Sequence, residues 1–309
     1  VREITINGHR IADDEPCYVI AEVGHNHGGK FETARTMIQT AAACGASAVK
    51  LQKRDNDALY SRALLDSPYE NEHSFGRTYG EHRRALEFTE RDYLACRAVA
   101  KTASIDFFAT AFDERSADFL MTIGVPAIKI ASGGLTDIPL LKHVALLGVP
   151  LILSTGGGSW EDVDDALDIL LRYTSSVALL HCTAAYPVMK AEELNLLAIV
   201  EMRTRYPNVV IGWSSHDTGI SMSLVAYAYG ARIIEQHFTL NRASKGTDHA
   251  FSLEPKGLQT MCEDLKKAHL AKGDGVKRLY ESERKPLAKM RRHDTPEGMQ
   301  VTGQLYVGH

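Results

Sequence analysis

LILSTGGGSWEDVDDALDILLRYTSSVALLHC (151–182) carries the pattern on which the fold turns. Leu151 to Ser154 is a short apolar run, Ser154-Thr155-Gly156-Gly157-Gly158 breaks it, Ser159 to Arg172 is amphipathic, and Val177 to Cys182 is apolar again. The middle segment opens with Ser159 three residues before Asp162, a capping-box spacing, and sets Val163, Ala166, Leu167, Leu170 and Leu171 on one helical face. Short apolar runs on either side of such a helix are what strands buried on both faces look like when a crossover helix joins them.

The same unit recurs in both directions. Upstream lie Tyr18 to Val23, Ala48 to Gln52, Phe107 to Phe112 and Ala127 to Ala131; downstream lie Val209 to Trp213 and Ile233 to Phe238, which makes about eight runs. Phe31 to Cys44 places Ala34, Met37, Ile38 and Ala41 at helical spacing and stops at Gly45. Eight strands alternating with helices predict an α/β fold of the (β/α)8 TIM-barrel type. The competing architecture is a doubly wound open sheet, which the unbroken succession of units disfavours. Ile4 and Ile6 before the turn Asn7-Gly8 predict a short N-terminal β-hairpin. The barrel is expected over residues 1–272, with 273–309 as a tail or linker.

One interval is long. Between Gln52 and Phe107 runs a polar, Tyr-rich insertion, Arg54 to Arg84, followed by a helix-like stretch. Because it follows the end of a strand, it is expected over the C-terminal mouth of the barrel and is a candidate for substrate specificity; the plainer reading is a solvated surface excursion.

Composition narrows the class of function. The 309 residues are 44% hydrophobic and 24% charged, ordinary for a globular chain, and a formal net charge of -4 supplies no basic field for nucleic acid. No stretch approaches the ~18 apolar residues of a membrane span. Cys17, Cys44, Cys96, Cys182 and Cys262 are scattered without a C-x-x-C pair, which points to a reducing, cytoplasmic compartment.

Polar residues inside otherwise apolar strands mark the site. Glu22 ends the first run, and Lys50 and Gln52 share one face of the second. Thr110, Lys129, Ser132 and Ser154 follow, then Ser214 and His216, then Glu235 and His237. A buried ammonium must pair with an acid or await an anion. Glu22 and Glu235 are the candidate acids. The extra hydroxyls of Thr110, Ser132 and Ser154 favour a cradle for phosphate plus carboxylate over a closed ion-pair core. The glycine run at 156–158 adds backbone N–H groups to that cradle, although a tight turn explains it equally well. His216 and His237, at the ends of neighbouring strands, make a metal pair. Two imidazoles suit Mn2+ or Mg2+ with water completing the shell better than zinc. His9, His73, His82, His143, His269, His293 and His309 read as surface residues, and His25 and His27 stay open between site and structure.

These residues resemble a family. IAEVGHNHGG (20–29), AVKLQK (48–53), FFATAFDERSADFL (107–120), IKIASG (128–133), LILSTGG (151–157), LHCTAAYPV (180–188), IGWSSHDTG (211–219), and IIEQHFTL with GTDHAFSLEP (233–255) are similar, in order, to stretches of the sialic acid (nonulosonate) synthases. The resemblance implies phosphoenolpyruvate binding by Lys50, Gln52, Thr110, Lys129, Ser132, Ser154 and Ser214. It implies metal ligation by His216 and His237, with Mn2+ ahead of Mg2+ or Co2+. It places Glu22, Tyr186 and Asp248 at the sugar, Glu22 as acid/base group. Read without the family, Tyr186 is a packing or turn residue and Asp248 a loop acid near Lys245.

The implied activity is condensation of phosphoenolpyruvate with an amino-sugar aldehyde by a cytoplasmic homodimer. The acceptor would be N-acetylmannosamine-like, a 6-phosphate, or a dideoxy-diacetamido variant. The chain departs from the family at Ala184, where an amide is common, and at Gly134, where an acid is common. Family members also carry a C-terminal antifreeze-like domain, expected to be absent here. Two rival readings are a 3-deoxy-sugar acid synthase acting on another aldehyde, and a catalytically silent sugar-binding barrel.

Overall fold

In the computed structural model, which describes residues 2–304, the turn Asn7-Gly8 joins β1 (Glu3–Ile6) to β2 (His9–Ala12) as an antiparallel hairpin. Asn7 and Gly8 both have positive φ, 48° and 85°, the two-residue turn whose twist matches the flanking strands. Glycine adopts that conformation without steric cost.

Eight parallel strands then close a ring: β3 (Tyr18–Gly24), β4 (Ala48–Lys53), β5 (Asp106–Ala111), β6 (Ile128–Ile130), β7 (Leu151–Ser154), β8 (Val177–Cys182), β9 (Val210–Ser215) and β10 (Ile233–His237), with β10 returning to pair with β3. A helix follows each strand, and the chain is a (β/α)8 barrel. Helix Phe31–Ala43 buries Ala34, Met37, Ile38 and Ala41, and helix Trp160–Leu171 buries Val163, Ala166, Leu167 and Leu170. These are the stripes their spacing predicts, except that Leu171 is exposed. Ser159 caps the second helix, and the Asp162 carboxylate accepts from the Ser159 backbone N–H in return.

Some limits shift from the sequence reading. β6 is only Ile128–Ile130, because Ala127 and Ala131 flank the ladder without joining it, while β9 runs on to Ser215 through two serines that hydropathy does not read as strand. The insertion after β4 is not featureless: it holds helices Asn56–Leu59, Arg62–Leu65 and Tyr79–Leu86, each opened by a capping side chain, from Asp55, Ser61 and Thr78.

The hairpin is packed as part of the barrel. Ile4, Ile6 and Ile11 join the apolar core, and Asp106, buried at the start of β5, accepts from Asn7 Nδ2 (2.6 Å) and Tyr18 Oη (2.7 Å) and contacts His9 Nδ1 (2.8 Å). The N-terminal end is thus held to the hairpin, while the polar residues collect at the opposite end.

The chain divides into two compact units at His269/Leu270, a little before the boundary the sequence suggests at 272. The second contains helix Glu281–Ala288 and a small hairpin, His293–Thr295 with Gly298–Gln300. Among the described residues no helix is long and apolar enough to cross a membrane.

Candidate active site

Strand register decides which polar side chains meet. Glu22 lies opposite Lys50 and His237, Thr110 opposite Gln52 and Lys129, and Ser214 opposite Cys182 and Glu235. Successive inward positions are two residues apart, so below this ring lie Ile20, Phe108, Ile152 and Leu180, all fully buried. A layer of chemistry therefore rests on an apolar plug, at the end of the barrel where the strand-to-helix loops converge. It floors a cavity of about 470 Å3.

The structure brings every site residue named from the sequence into the lining of that cavity: Glu22, Lys50, Gln52, Thr110, Lys129 and Ser132 on one side, with Ser154, Tyr186, Ser214, His216, His237 and Asp248 completing it. Lys50 Nζ bonds Thr110 Oγ1 at 2.7 Å, is paired with Glu22 at 2.6 Å, and lies 3.7 Å from Glu235. Lys129 Nζ donates to Ser154 Oγ (2.6 Å) and to the Ile130 carbonyl (2.9 Å), and no carboxylate lies within 4.0 Å of it among the described residues. The choice between ion pair and anion cradle thus divides between the two lysines. Lys50 already has a carboxylate, and Lys129 has only neutral acceptors.

The glycine run behaves otherwise than the cradle reading supposes. Gly156 N donates to Ser132 Oγ at 3.0 Å and Gly158 N to the Thr155 carbonyl at 3.2 Å, so these amides are spent on the turn and on holding Ser132. None of Gly156, Gly157 and Gly158 lines the cavity; Gly133 does. A Cβ at Gly156 would sit 2.7 Å from Ser132 Oγ, which explains the glycine.

Glu22 is buried, and its other oxygen accepts from Gln52 Nε2 at 2.7 Å. Burial, partly offset by Lys50 and reinforced by Glu235, pushes its carboxyl up to about 7, the range in which a carboxyl both gives and takes protons at neutral pH. Burial pushes the Lys129 ammonium down. Ser214 Oγ donates to Glu235 Oε1 at 3.2 Å, while Glu235 Oε2 is buried without a hydrogen-bond partner.

His216 and His237 face one another with ring centroids 5.3 Å apart. The Thr183 carbonyl, 2.8 Å from His216 Nδ1, can only accept, so in neutral His216 the proton sits on Nδ1 and Nε2 keeps its lone pair. His237 Nδ1 is buried without a hydrogen-bond partner, 3.9 Å from Asp248 Oδ2. Burial lowers both imidazoles, His216 to about 4, which keeps them neutral and able to ligate. No cluster of three or more His, Cys, Asp or Glu groups suited to a metal occurs among the described residues, so an ion here would draw the rest of its shell from water and substrate. The Tyr186 ring lies 4.2 Å from the His216 ring, centroid to centroid, with Tyr186 itself 58% exposed at the rim.

Several residues of the site are not evident in the sequence. Arg54, Phe75, His82 and Arg83, all from the insertion, line the cavity, so this segment lies at the mouth rather than in solvent. His82 corrects its surface reading: it is buried, and its Nδ1 accepts from Phe75 N at 3.2 Å. Cys182 also lines the cavity, opposite Ser214 in the register and with Sγ 3.8 Å from His216 Nδ1. Of the two open histidines, His25 lines the cavity beside Arg54, whereas His27 is buried against Phe88, ring centroids 3.9 Å apart, in a structural role. His9 and His143 are held to Asp106 and Asp118, and His269 contacts Tyr227 Oη at 3.1 Å; His309 lies outside the described residues.

Known proteins resemble this chain in both sequence and fold. Residues 37–277 match the model of the NeuB family. N-acetylneuraminate-9-phosphate synthase of Drosophila melanogaster is 44% identical over 245 residues, covering 79% of this chain and 66% of that protein's length. N,N'-diacetyllegionaminic acid synthase of Legionella pneumophila is 33% identical over 93% of this chain and 83% of its own. The crystal structure of the N-acetylneuraminic acid (sialic acid) synthetase of Leptospira borgpetersenii, in complex with citrate, superposes with a TM-score of 0.81 at 33% identity, covering 93% of this chain and 95% of that one.

Proposed function

Because this chain belongs to the NeuB family, we propose that it is a C–C bond-forming transferase that condenses phosphoenolpyruvate with an N-acetylated hexosamine of the N-acetylmannosamine type, giving a nonulosonic acid and phosphate. The observation that carries the reading is Lys129, a buried ammonium with hydroxyl and carbonyl partners only, in a cavity it shares with a second ammonium and two facing imidazoles.

Lys129, Ser154, Ser132 and Gln52 hold the anionic groups of phosphoenolpyruvate, and Lys50 is shared between that anion and Glu22. The enol carbon C3 bonds to the aldehyde carbon while the aldehyde π pair moves to oxygen, which takes a proton. Water then adds at C2 and gives up a proton. The C2–O bond to phosphate breaks as the new C2 hydroxyl gives its proton to the departing phosphate, so that phosphate leaves with the bridging oxygen and a 2-keto acid remains. Glu22, near neutral in its proton affinity, donates the first proton and takes up the second. As the incoming anion draws on Lys50, Glu22 loses part of its counter-charge and becomes the better base. Tyr186 and Asp248, at the rim, orient the sugar. Bringing both substrates together on one floor is worth up to ~7–11 kcal/mol of the barrier.

His216 and His237 would hold a divalent ion, Mn2+ ahead of Mg2+ or Co2+, whose chemistry is Lewis-acid polarisation of the aldehyde oxygen. The unsatisfied His237 Nδ1 and the free Nε2 of His216 support that assignment. The reading includes a homodimer in the cytoplasm, and the five unpaired cysteines are in keeping with such a compartment. The test is phosphate release from phosphoenolpyruvate against a panel of hexosamines, with Mn2+ and then with chelator. Release that needs both an N-acetylated hexosamine and the metal supports the reading. Release with a non-amino aldose phosphate alone would shift it to a 3-deoxy-sugar acid synthase, and phosphoenolpyruvate binding without release to a silent barrel.

A further inference from the structure

The cavity lining divides by charge. At the floor, Lys50 and Lys129 stand against Glu22 and Glu235, cation for carboxylate. At the mouth, Arg54 and Arg83 stand against Asp248 alone. Neither guanidinium has a carboxylate within 4.0 Å among the described residues. A third cation, Lys245, has its Nζ 5.2 Å from the centroid of the Phe75 ring, itself part of the lining, and adjoins the lining residues Gly246, Thr247 and Asp248 in the chain.

Both arginines are held by contacts that leave their charge unanswered. Arg83, in helix Tyr79–Leu86, donates from Nε to Tyr79 Oη at 2.8 Å, with its guanidinium 4.8 Å from the Tyr79 ring centroid. Its Nη groups make no hydrogen bond among the described residues. Arg54 is 6% exposed, stacks 3.6 Å from the Phe112 centroid, donates from Nη2 to Gln52 Oε1 at 2.8 Å and meets His25 Nε2 at 3.3 Å; its Nε is buried without a partner. Such anchoring fixes a guanidinium's fork in place, and an unpaired cation in a half-closed cavity is stable there when an anion completes it. The floor lysines already suffice to face phosphoenolpyruvate. A neutral sugar would leave the mouth cations without a counter-charge.

We propose that Arg83, with Arg54 behind it and Lys245 at the rim, forms a second anion subsite for a phosphate monoester on the acceptor sugar, at the end remote from the reacting aldehyde. Cations approaching from separate elements suit a tetrahedral dianion better than a planar carboxylate. The inference rests on the condensation reading above, and it makes the insertion the element that selects a phosphorylated acceptor.

The experiment compares wild type, Arg83→Ala and Arg83→Lys in phosphoenolpyruvate consumption with N-acetylmannosamine 6-phosphate and with N-acetylmannosamine. Wild type is expected to favour the phosphorylated acceptor by more than about tenfold in kcat/KM. Arg83→Ala is expected to lose about 10- to 100-fold with that acceptor, through KM, as befits one charge-assisted contact, and several-fold less with the unphosphorylated one. Arg83→Lys should recover part of the loss. Equal losses with both acceptors, a wild type that does not distinguish them, or a rise in KM for phosphoenolpyruvate instead would overturn the subsite. If wild type consumes phosphoenolpyruvate with neither acceptor, the condensation reading is what fails. Calorimetric titration with N-acetylmannosamine 6-phosphate then decides the subsite: binding weakened tenfold or so by Arg83→Ala upholds it, and equal or absent binding overturns it.

Discussion

Replacing Lys129 by Met separates a ligand-binding ammonium from a structural one. In the folded chain the Lys129 ammonium is 2% exposed, so desolvation works against it by several kcal/mol. Its two hydrogen bonds, to Ser154 at 2.6 Å and Ile130 at 2.9 Å, are each worth about 1.5–3 kcal/mol because the donor is charged. These contributions nearly cancel. Since no carboxylate is stranded by the change, Lys129→Met should alter folding stability by no more than about 2 kcal/mol. The same methionine at Lys50 would leave Glu22 and Glu235 facing each other unpaired, and should cost about 3–5 kcal/mol. Phosphoenolpyruvate affinity should respond differently. Loss of one buried charge contact, about 2–5 kcal/mol, weakens binding by roughly 30- to 5000-fold. Urea unfolding gives the stability and isothermal calorimetry the affinity. A Lys129→Met protein destabilised as much as Lys50→Met, yet binding phosphoenolpyruvate like wild type, would show that Lys129 serves the fold and would remove the anion site.

Glu22→Gln keeps the Gln52 contact within reach but removes both the proton carrier and a negative charge beside Lys50, so turnover should fall by at least ~10²-fold while phosphoenolpyruvate binds as well as before or more tightly, seen in kcat and in Kd. Unchanged turnover would take Glu22 out of the chemistry. Asp106→Ala, which strands the buried Tyr18 hydroxyl and frees Asn7 and His9, should cost about 2–4 kcal/mol in urea unfolding and leave activity per folded molecule intact. A loss of activity without loss of stability would contradict the anchoring role of the hairpin. Acid should destabilise the fold through its buried histidines: His27 is lowered to about 3, and His82 and His216 to about 4, all chiefly by burial. Such groups bind a proton in the unfolded chain, near pH 6.5, before they do so in the native one. Their stabilising effect is complete above pH 6.5 and fades as pH falls toward 4 and then 3, at up to ~1.4 kcal/mol per pH unit for each group. Stability flat between pH 6.5 and 4 would show that these rings are not buried neutral.

Sequence exposed the floor of the site and placed the insertion at its mouth, but hid which of the insertion's residues line it, for a physical reason. Lys50, Lys129, Glu22 and Glu235 are conspicuous because strands buried on both faces should be apolar, and each ionised residue in them breaks that pattern. The mouth is built from the insertion, where polar residues are the rule, so Arg54 and Arg83 carry no contrast. Helix Tyr79–Leu86 buries Gly80, His82 and Leu86, not an apolar stripe, which is why His82 reads as surface. Cys182 reads as one more apolar strand residue, and only the register with Ser214 shows that it looks into the cavity. The turn Asn7-Gly8 announces the hairpin, but its attachment beneath the barrel depends on Asp106, about a hundred positions away, a pairing that local pattern cannot reveal.

The central claim is that this cavity joins phosphoenolpyruvate to a sugar aldehyde with loss of phosphate from C2. Phosphoenolpyruvate carrying oxygen-18 in its bridging C–O–P position tests it most directly, turned over with an N-acetylated hexosamine and followed by mass spectrometry of both products. The account predicts that the label departs entirely with phosphate while the sugar gains the three carbons of pyruvate. Label retained in the keto acid, or free pyruvate with no lengthened sugar, would contradict it.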